Sequence, residues 1–162
     1  MTLRFHPSDQ YIEVAYGGIV QDIPASSIVR NELNGWRPLH NPDQVVYAMT
    51  HDKYHKYPVM PRPFPRGVWN VGSPMERTDK YLAPYFIPTD AEQMLPIWEL
   101  DDDGGYDHPT DKWILDLGYG LHFSVSNTTL GCIKGHVRRD LEWLVEGIFL
   151  EREAGLGVTI SA

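Results

Sequence analysis

Cys132 is the only cysteine in this 162-residue chain, and His122 stands ten positions before it. A thiol has an unperturbed pKa of about 8.5, so little of it is thiolate near neutrality; an adjacent imidazole or local N–H donors lower that value. The stretch "LHFSVSNTTLGCIKG" also puts Gly131 directly before the cysteine. Glycine turns the chain sharply with no Cβ in the way, exposing the sulfur and aiming backbone amides at one point, as an oxyanion hole requires. His122 falls on the preceding strand, and the nine residues between can fold back to bring ring and sulfur together. A nucleophile–base pair is one reading. A buried structural cysteine is the other, since free Cys is among the most often buried residue types.

The elements that must position this pair are mostly strands. Tyr11–Tyr16 and Ile19–Ile23 are rich in β-formers around the turn signal Gly17-Gly18, which predicts a hairpin. "DQVVYAMTHDKYHKY" could carry two or three helical turns with Asp43 near their start, and the prolines of "PVMPRPFPRG" force extended backbone. "GVWNVG" and "YLAPYFIPT" read as short strands, and "KWILDLGYGLHFSVS" as strand, glycine turn and strand. After the cysteine, Asp140 precedes Leu141, Leu144, Val145, Ile148 and Phe149, which recur on one helical face until Gly155 supplies a stop. "GVTISA" closes the chain as a strand. No repeat or linker interrupts the pattern. The expectation is a single α/β, β-rich domain over 1–162.

Composition narrows the function. A formal net charge of −8 argues against nucleic acid, which needs a clustered cationic surface. No run of about 18 apolar residues occurs, so no membrane span is expected. "MTLRFHPSDQYIEV" lacks the basic and apolar regions of a secretory signal. His51 and His55 are spaced to share a metal on a helix, but they have no third ligand at motif spacing and read better as surface histidines. "DDDGGYD" fails the calcium-loop pattern, with Tyr106 at the sixth position and Lys112 at the twelfth. No cofactor or metal is expected. The five tryptophans, Trp36, Trp69, Trp98, Trp113 and Trp143, read mostly as core.

His122 followed by Thr129-Leu130-Gly131-Cys132-Ile133-Lys134 resembles the signature of the L,D-transpeptidase catalytic domain (YkuD-like), which runs His, a loop, Ser-x-Gly-Cys, an apolar residue and usually Arg. "QYIEVAYGGIVQDIPAS" is similar to that domain's opening hairpin and "FPRGVWNV" to its Pro-x-Gly-x-aromatic strand; the helix after the cysteine and the strand "GVTI" fall in the family's order. Residues 30–60 have no counterpart. Thr129 stands for the motif serine and keeps the hydroxyl. Lys134 stands for the arginine and loses bidentate geometry. His-Gly is replaced by His122-Phe123, and the loop is short, most like the effectors that bacteria inject through type VI secretion systems.

The resemblance implies a β-sandwich or barrel with a helix after the catalytic motif. It implies that Cys132 attacks the meso-diaminopimelate–D-Ala bond of peptidoglycan stem peptides, His122 serves as base, and the amides of Gly131 and Cys132 hold the oxyanion. The imidazole would be oriented by a carbonyl such as that of Phe123 or Gly120. Hydrolysis (L,D-carboxypeptidase) and transfer to an amine (transpeptidase, D-amino-acid exchange) both remain open. Thr129, Lys134, Tyr119 and Arg138 are the candidate substrate-binding residues. Lys134, Arg138 and Arg139 would hold carboxylates or else only solvate the helix entry, and Tyr119 would wall the site or else pack in the core. The implied partners are stem peptides, a secretion apparatus and a cognate immunity protein. The implied place of action is the periplasm or cell wall, reached by specialised secretion or by a phage. The rival classes are a cysteine hydrolase with a different amide substrate and a non-catalytic binding domain of the same fold.

Overall fold

Alternation along the first three strands decides which side of the sheet becomes core. The computed structural model describes residues 1–29, 47–49, 54–56, 59–77, 85–102, 106–125, 129 and 131–162. In it β1 (Thr2–His6), β2 (Tyr11–Tyr16) and β3 (Ile19–Ser26) pair antiparallel. Leu3, Phe5, Ile12, Val14, Ile23 and Ala25 are all buried, while Arg4, Glu13 and Asp22 alternate onto the opposite face. Gly17 and Gly18 have φ of +58° and +78°, the left-handed pair that a two-residue hairpin turn requires. The expected hairpin is present. Strand β1 was not foreseen.

The sheet grows from both sides of this meander. Beyond β1 lies β13 (Thr159–Ser161), parallel to it, and then β6 (Val68–Asn70). Beyond β3 come β12 (Ile133–Gly135), β11 (Gly120–Phe123), β8 (Tyr85–Pro88) and β7 (Met75–Glu76). The two flanks then meet. Val71, just past β6, bridges Thr89, just past β8. Gly72 N–H donates to the Pro88 carbonyl at 2.8 Å, and the Asp90 carboxylate accepts the backbone and side-chain N–H of Asn70 at 2.6 and 2.8 Å. Ionised acceptors make such bonds short and strong. The nine-stranded mixed sheet is thereby curled around its buried face.

Helix α1 (Arg138–Glu153) follows the cysteine and fills that curl with Leu141, Leu144, Val145 and Ile148. It begins before Asp140, at an N-cap, Val137, that has no side-chain cap, and Asp140 instead places a negative charge in the first turn. Phe149 is 37% exposed and so lies off the buried face expected for it. Gly155, at φ +74°, ends the helix as expected. The fold is thus α/β and β-rich.

A second body of structure is the long ribbon of β9 (Gln93–Leu100) and β10 (Tyr106–Asp116), which buries Leu95 and Ile114 against Val59. The described part of the stretch from Asp43 to Tyr57 corrects the helical expectation. β4 (Tyr47–Met49) and β5 (Tyr54–Lys56) pair antiparallel, with Ala48 opposite His55. Aromatic residues favour a strand once a partner is available, and cross-strand pairing outweighs weak helical propensity. His55 therefore sits on a strand, and its proposed metal partner His51 lies outside the described residues. The tryptophans are also less buried than expected. Trp69 and Trp143 pack only partly on the core, Trp98 is half-buried, Trp113 is 56% exposed, and Trp36 lies outside the described residues. Among the described residues no helix is long and apolar enough to cross a membrane.

Two glycines on the helix contacts separate rigid from yielding packing. A Cβ on Gly135 would overlap the Leu141 side chain in the core, whereas one on Gly147 meets the flexible end of Met1. Gly135→Ala is expected to cost about 1–3 kcal/mol in urea unfolding through overpacking. Gly147→Ala is expected to be neutral or to stabilise by up to about 1 kcal/mol through helix propensity. Equal losses at both positions would overturn this account of the helix seat.

Candidate active site

Strands β11 and β12 run parallel, with Leu121 opposite Ile133 and His122 opposite Lys134. Paired residues share a face, and faces alternate along each strand. Leu121, Ile133 and Gly135 therefore face the core and the helix. His122, Lys134 and, just before β12, Cys132 take the outer face. On that face Cys132 lies diagonal to His122, two positions along the chain from Lys134, the residue paired with the histidine. The topology brings the two sequence candidates to one surface.

His122 is tied by its ring. Nδ1 lies 3.1 Å from the Phe123 carbonyl oxygen, which can only accept, so Nδ1 carries the proton and Nε2 the lone pair. Burial pushes the imidazole pKa down; the Phe123 carbonyl works against this, while Arg77 and Lys134 add to it. The half-buried Cys132 thiol points toward the Gly118 carbonyl at 3.9 Å. Burial pushes its pKa up, a Gly120 N–H and Arg77 oppose the rise, and Asp116 assists it. The lowered thiol pKa anticipated beside an imidazole is not the resting condition. Desolvation outweighs the donors, and the pair rests as neutral thiol and neutral imidazole.

The turn that presents the sulfur is held from three sides. Gly131 has φ +123°, and a Cβ on it would lie 2.5 Å from the Tyr119 ring and 2.7 Å from the Arg62 carbonyl oxygen. Thr129 Oγ1 donates to the Cys132 carbonyl at 2.8 Å and accepts the Gly131 N–H at 3.2 Å. Thr129 thus clamps the turn. Ser27 Oγ, which the sequence did not single out, donates to the Gly131 carbonyl at 3.0 Å and accepts the Phe64 N–H at 2.8 Å. Arg62 also lines a groove of about 210 Å³ with Met60, Pro61, Pro63, Pro96 and Trp98.

Tyr119 serves as wall and core at once. Its buried ring backs Gly131 and meets Phe64 edge-on at 6.1 Å. Its hydroxyl donates to Asp116 at 2.5 Å and accepts from Gln93 at 2.7 Å. Burial, and then Asp116, raise the phenol pKa far beyond its ordinary value. The basic cluster read after the cysteine is split by the sheet. Lys134 is only 7% exposed, between His122 on β11 and Ser26 on β3. Arg138 pairs with Glu142 at 3.0 Å and lines a cleft with Phe123 and Leu141, on the side away from Cys132. Arg139 is exposed in the first turn of α1.

A different cation takes part. The Arg77 guanidinium carbon lies 4.7 Å above the Phe86 ring, and Phe86 is paired with His122 across the strands, with ring centroids 6.4 Å apart. No local motif marks Arg77; only the β7–β8–β11 register brings it here. On the far side of Lys134, Ser26 Oγ lies 2.8 Å from His136 Nε2. Among the described residues no three His, Cys, Asp or Glu side chains gather as metal ligands.

The neutral resting pair has measurable consequences. Cys132 alkylation by iodoacetamide should titrate with a midpoint above that of an ordinary thiol. A midpoint below that value would mean an imidazolium–thiolate pair. The lowered His122 pKa also sets a sign for stability: below the unfolded value of 6.5 the unfolded chain takes up the proton more readily, so stability falls as pH drops. Urea unfolding between about pH 7 and pH 5 should show this slope, and His122→Gln should flatten it. An unchanged slope would remove His122 burial as the cause.

Comparison of the chain with family models, with curated proteins and with solved structures returns no match, and the reading of this site rests on its own residues.

Proposed function

We propose that the chain is a cysteine acyltransferase of the L,D-transpeptidase type that acts on peptidoglycan stem peptides. The observation that carries this reading is the common outer face of Cys132 and His122, with Nδ1 anchored on Phe123 and the Nε2 lone pair left for chemistry. A curled β-rich sheet with a helix directly after the nucleophile supports it at the level of fold class.

The neutral pair suits general-base attack. As Sγ closes on the carbonyl carbon of the stem-peptide amide, His122 Nε2 takes the thiol proton. The oxygen gains the electron pair of the C=O bond, and the Cys132 amide is the donor best placed to hold it. The Gly131 amide already serves Thr129, which narrows the oxyanion hole implied by the motif. Collapse of the tetrahedral species breaks the C–N bond, and the imidazolium returns its proton to the departing amine. The thioester then passes its acyl group to water, as a carboxypeptidase, or to an amine, as a transpeptidase or D-amino-acid exchanger. The substrate lies in the periplasm or cell wall. Delivery there by a secretion apparatus or a phage, and neutralisation by an immunity protein, belong to the same reading.

Mass spectrometry after exposure to a stem tetrapeptide or a carbapenem should find an acyl group on Cys132, with loss of terminal D-alanine from the peptide. Cys132→Ala should abolish both with an unchanged unfolding midpoint, and His122→Ala should slow turnover by roughly 10²–10⁴-fold. Inert stem peptides alongside Cys132-dependent cleavage of another amide would replace this reading with a different cysteine hydrolase. A thiol that no acyl donor modifies would leave a binding domain.

A further inference from the structure

The outer face around the nucleophile carries positive charge on both sides of His122, in a chain whose formal net charge is −8. Lys134 is paired with His122 on one side, and Phe86, under the Arg77 guanidinium, is paired with it on the other. Met75 is opposite Phe86, so Arg77, two residues further along the same edge, projects to the face of Phe86, His122 and Cys132. We infer that Arg77, laid flat on Phe86, forms a subsite for the free carboxylate of the residue that leaves. This rests on the Cys132–His122 reading and deepens it.

Three physical arguments carry the assignment. A guanidinium stacked on an aromatic face keeps its N–H donors at the plane's edge, free to grip a carboxylate through two parallel bonds. Stacking also holds the long side chain in place before the ligand arrives, so less freedom is lost on binding. Finally, the Arg77 charge acts on both His122 and Cys132, which places it within electrostatic range of both reacting groups. A carboxylate one residue beyond the scissile amide falls in that range, whereas an internal peptide would lay a neutral amide there and leave the cation unmatched. Arg138, the arginine nearest the cysteine in sequence, cannot do this, because it lies across the sheet on Glu142.

Two measurements on the full chain test the subsite independently. The first compares Cys132 alkylation by iodoacetate with that by iodoacetamide, reagents alike in chemistry but differing in charge. The ratio of the two rates cancels any change in thiol pKa, and it should fall about three- to tenfold in Arg77→Ala and be largely kept in Arg77→Lys. The second compares turnover of a stem tetrapeptide with that of its C-terminal amide. The native chain should prefer the acid, and Arg77→Ala should lose that preference by about tenfold. A ratio and a preference unmoved by Arg77→Ala would overturn the subsite. A collapsed alkylation ratio with neither peptide turned over would instead sink the peptidoglycan reading while the anion subsite stands.

Discussion

Everything distinctive about the outer face depends on the register in which β11 and β12 pair. A parallel pair with Leu121 opposite Ile133 forces His122 and Cys132 onto one surface and sends Leu121, Ile133 and Gly135 to the other. A shift of one residue would put the imidazole in the core and a leucine beside the sulfur, since strand faces alternate at every position. The register is held by the fully buried Leu121 and Ile133, and on the far side of β12 by Gly135 against Ala25. Hydrophobic burial on one face therefore fixes chemical geometry on the other. The core does not merely support the site; it determines which residues the site contains.

That geometry has an electrostatic counterpart. Partial burial of both reactive groups favours their uncharged forms, and neighbouring cations favour a neutral imidazole further. In those forms the thiol keeps its proton on Sγ, and the His122 lone pair sits on Nε2. The clamp of Thr129 and Ser27 fixes Gly131 and Cys132 beside them, because a turn already bonded at three points has little left to reorganise.

Local features of the chain were legible and distant ones were not. The Gly17-Gly18 hairpin, the helix after the cysteine and its stop at Gly155 were readable because each is specified within a few residues by turn chemistry or periodicity. The sequence also marked Cys132, His122 and Gly131 by type and spacing. It gave no sign that β13 would run parallel to β1, or that Arg77 would arrive beside His122 while Arg138 went behind the sheet. Those outcomes depend on which strands become neighbours, which no short window encodes. The segment around Tyr47 and Tyr54 carries weak helical spacing, which its hairpin pairing overrides.

The strand that begins just after Cys132 is wedged between β3, from the opening of the chain, and β11, from its last third. Hydrogen bonds flanking its two ends span long intervals: Ser26 to His136 over 110 positions, and Ser27 Oγ to the Gly131 carbonyl over 104. Contacts of such separation form late, after many loops have closed. A chain that is still partly unfolded has therefore assembled no reactive surface, and its sulfur is no more than an ordinary thiol. The face that Cys132 and His122 share would take shape in one event, at the moment the sheet's remote ends are stitched together.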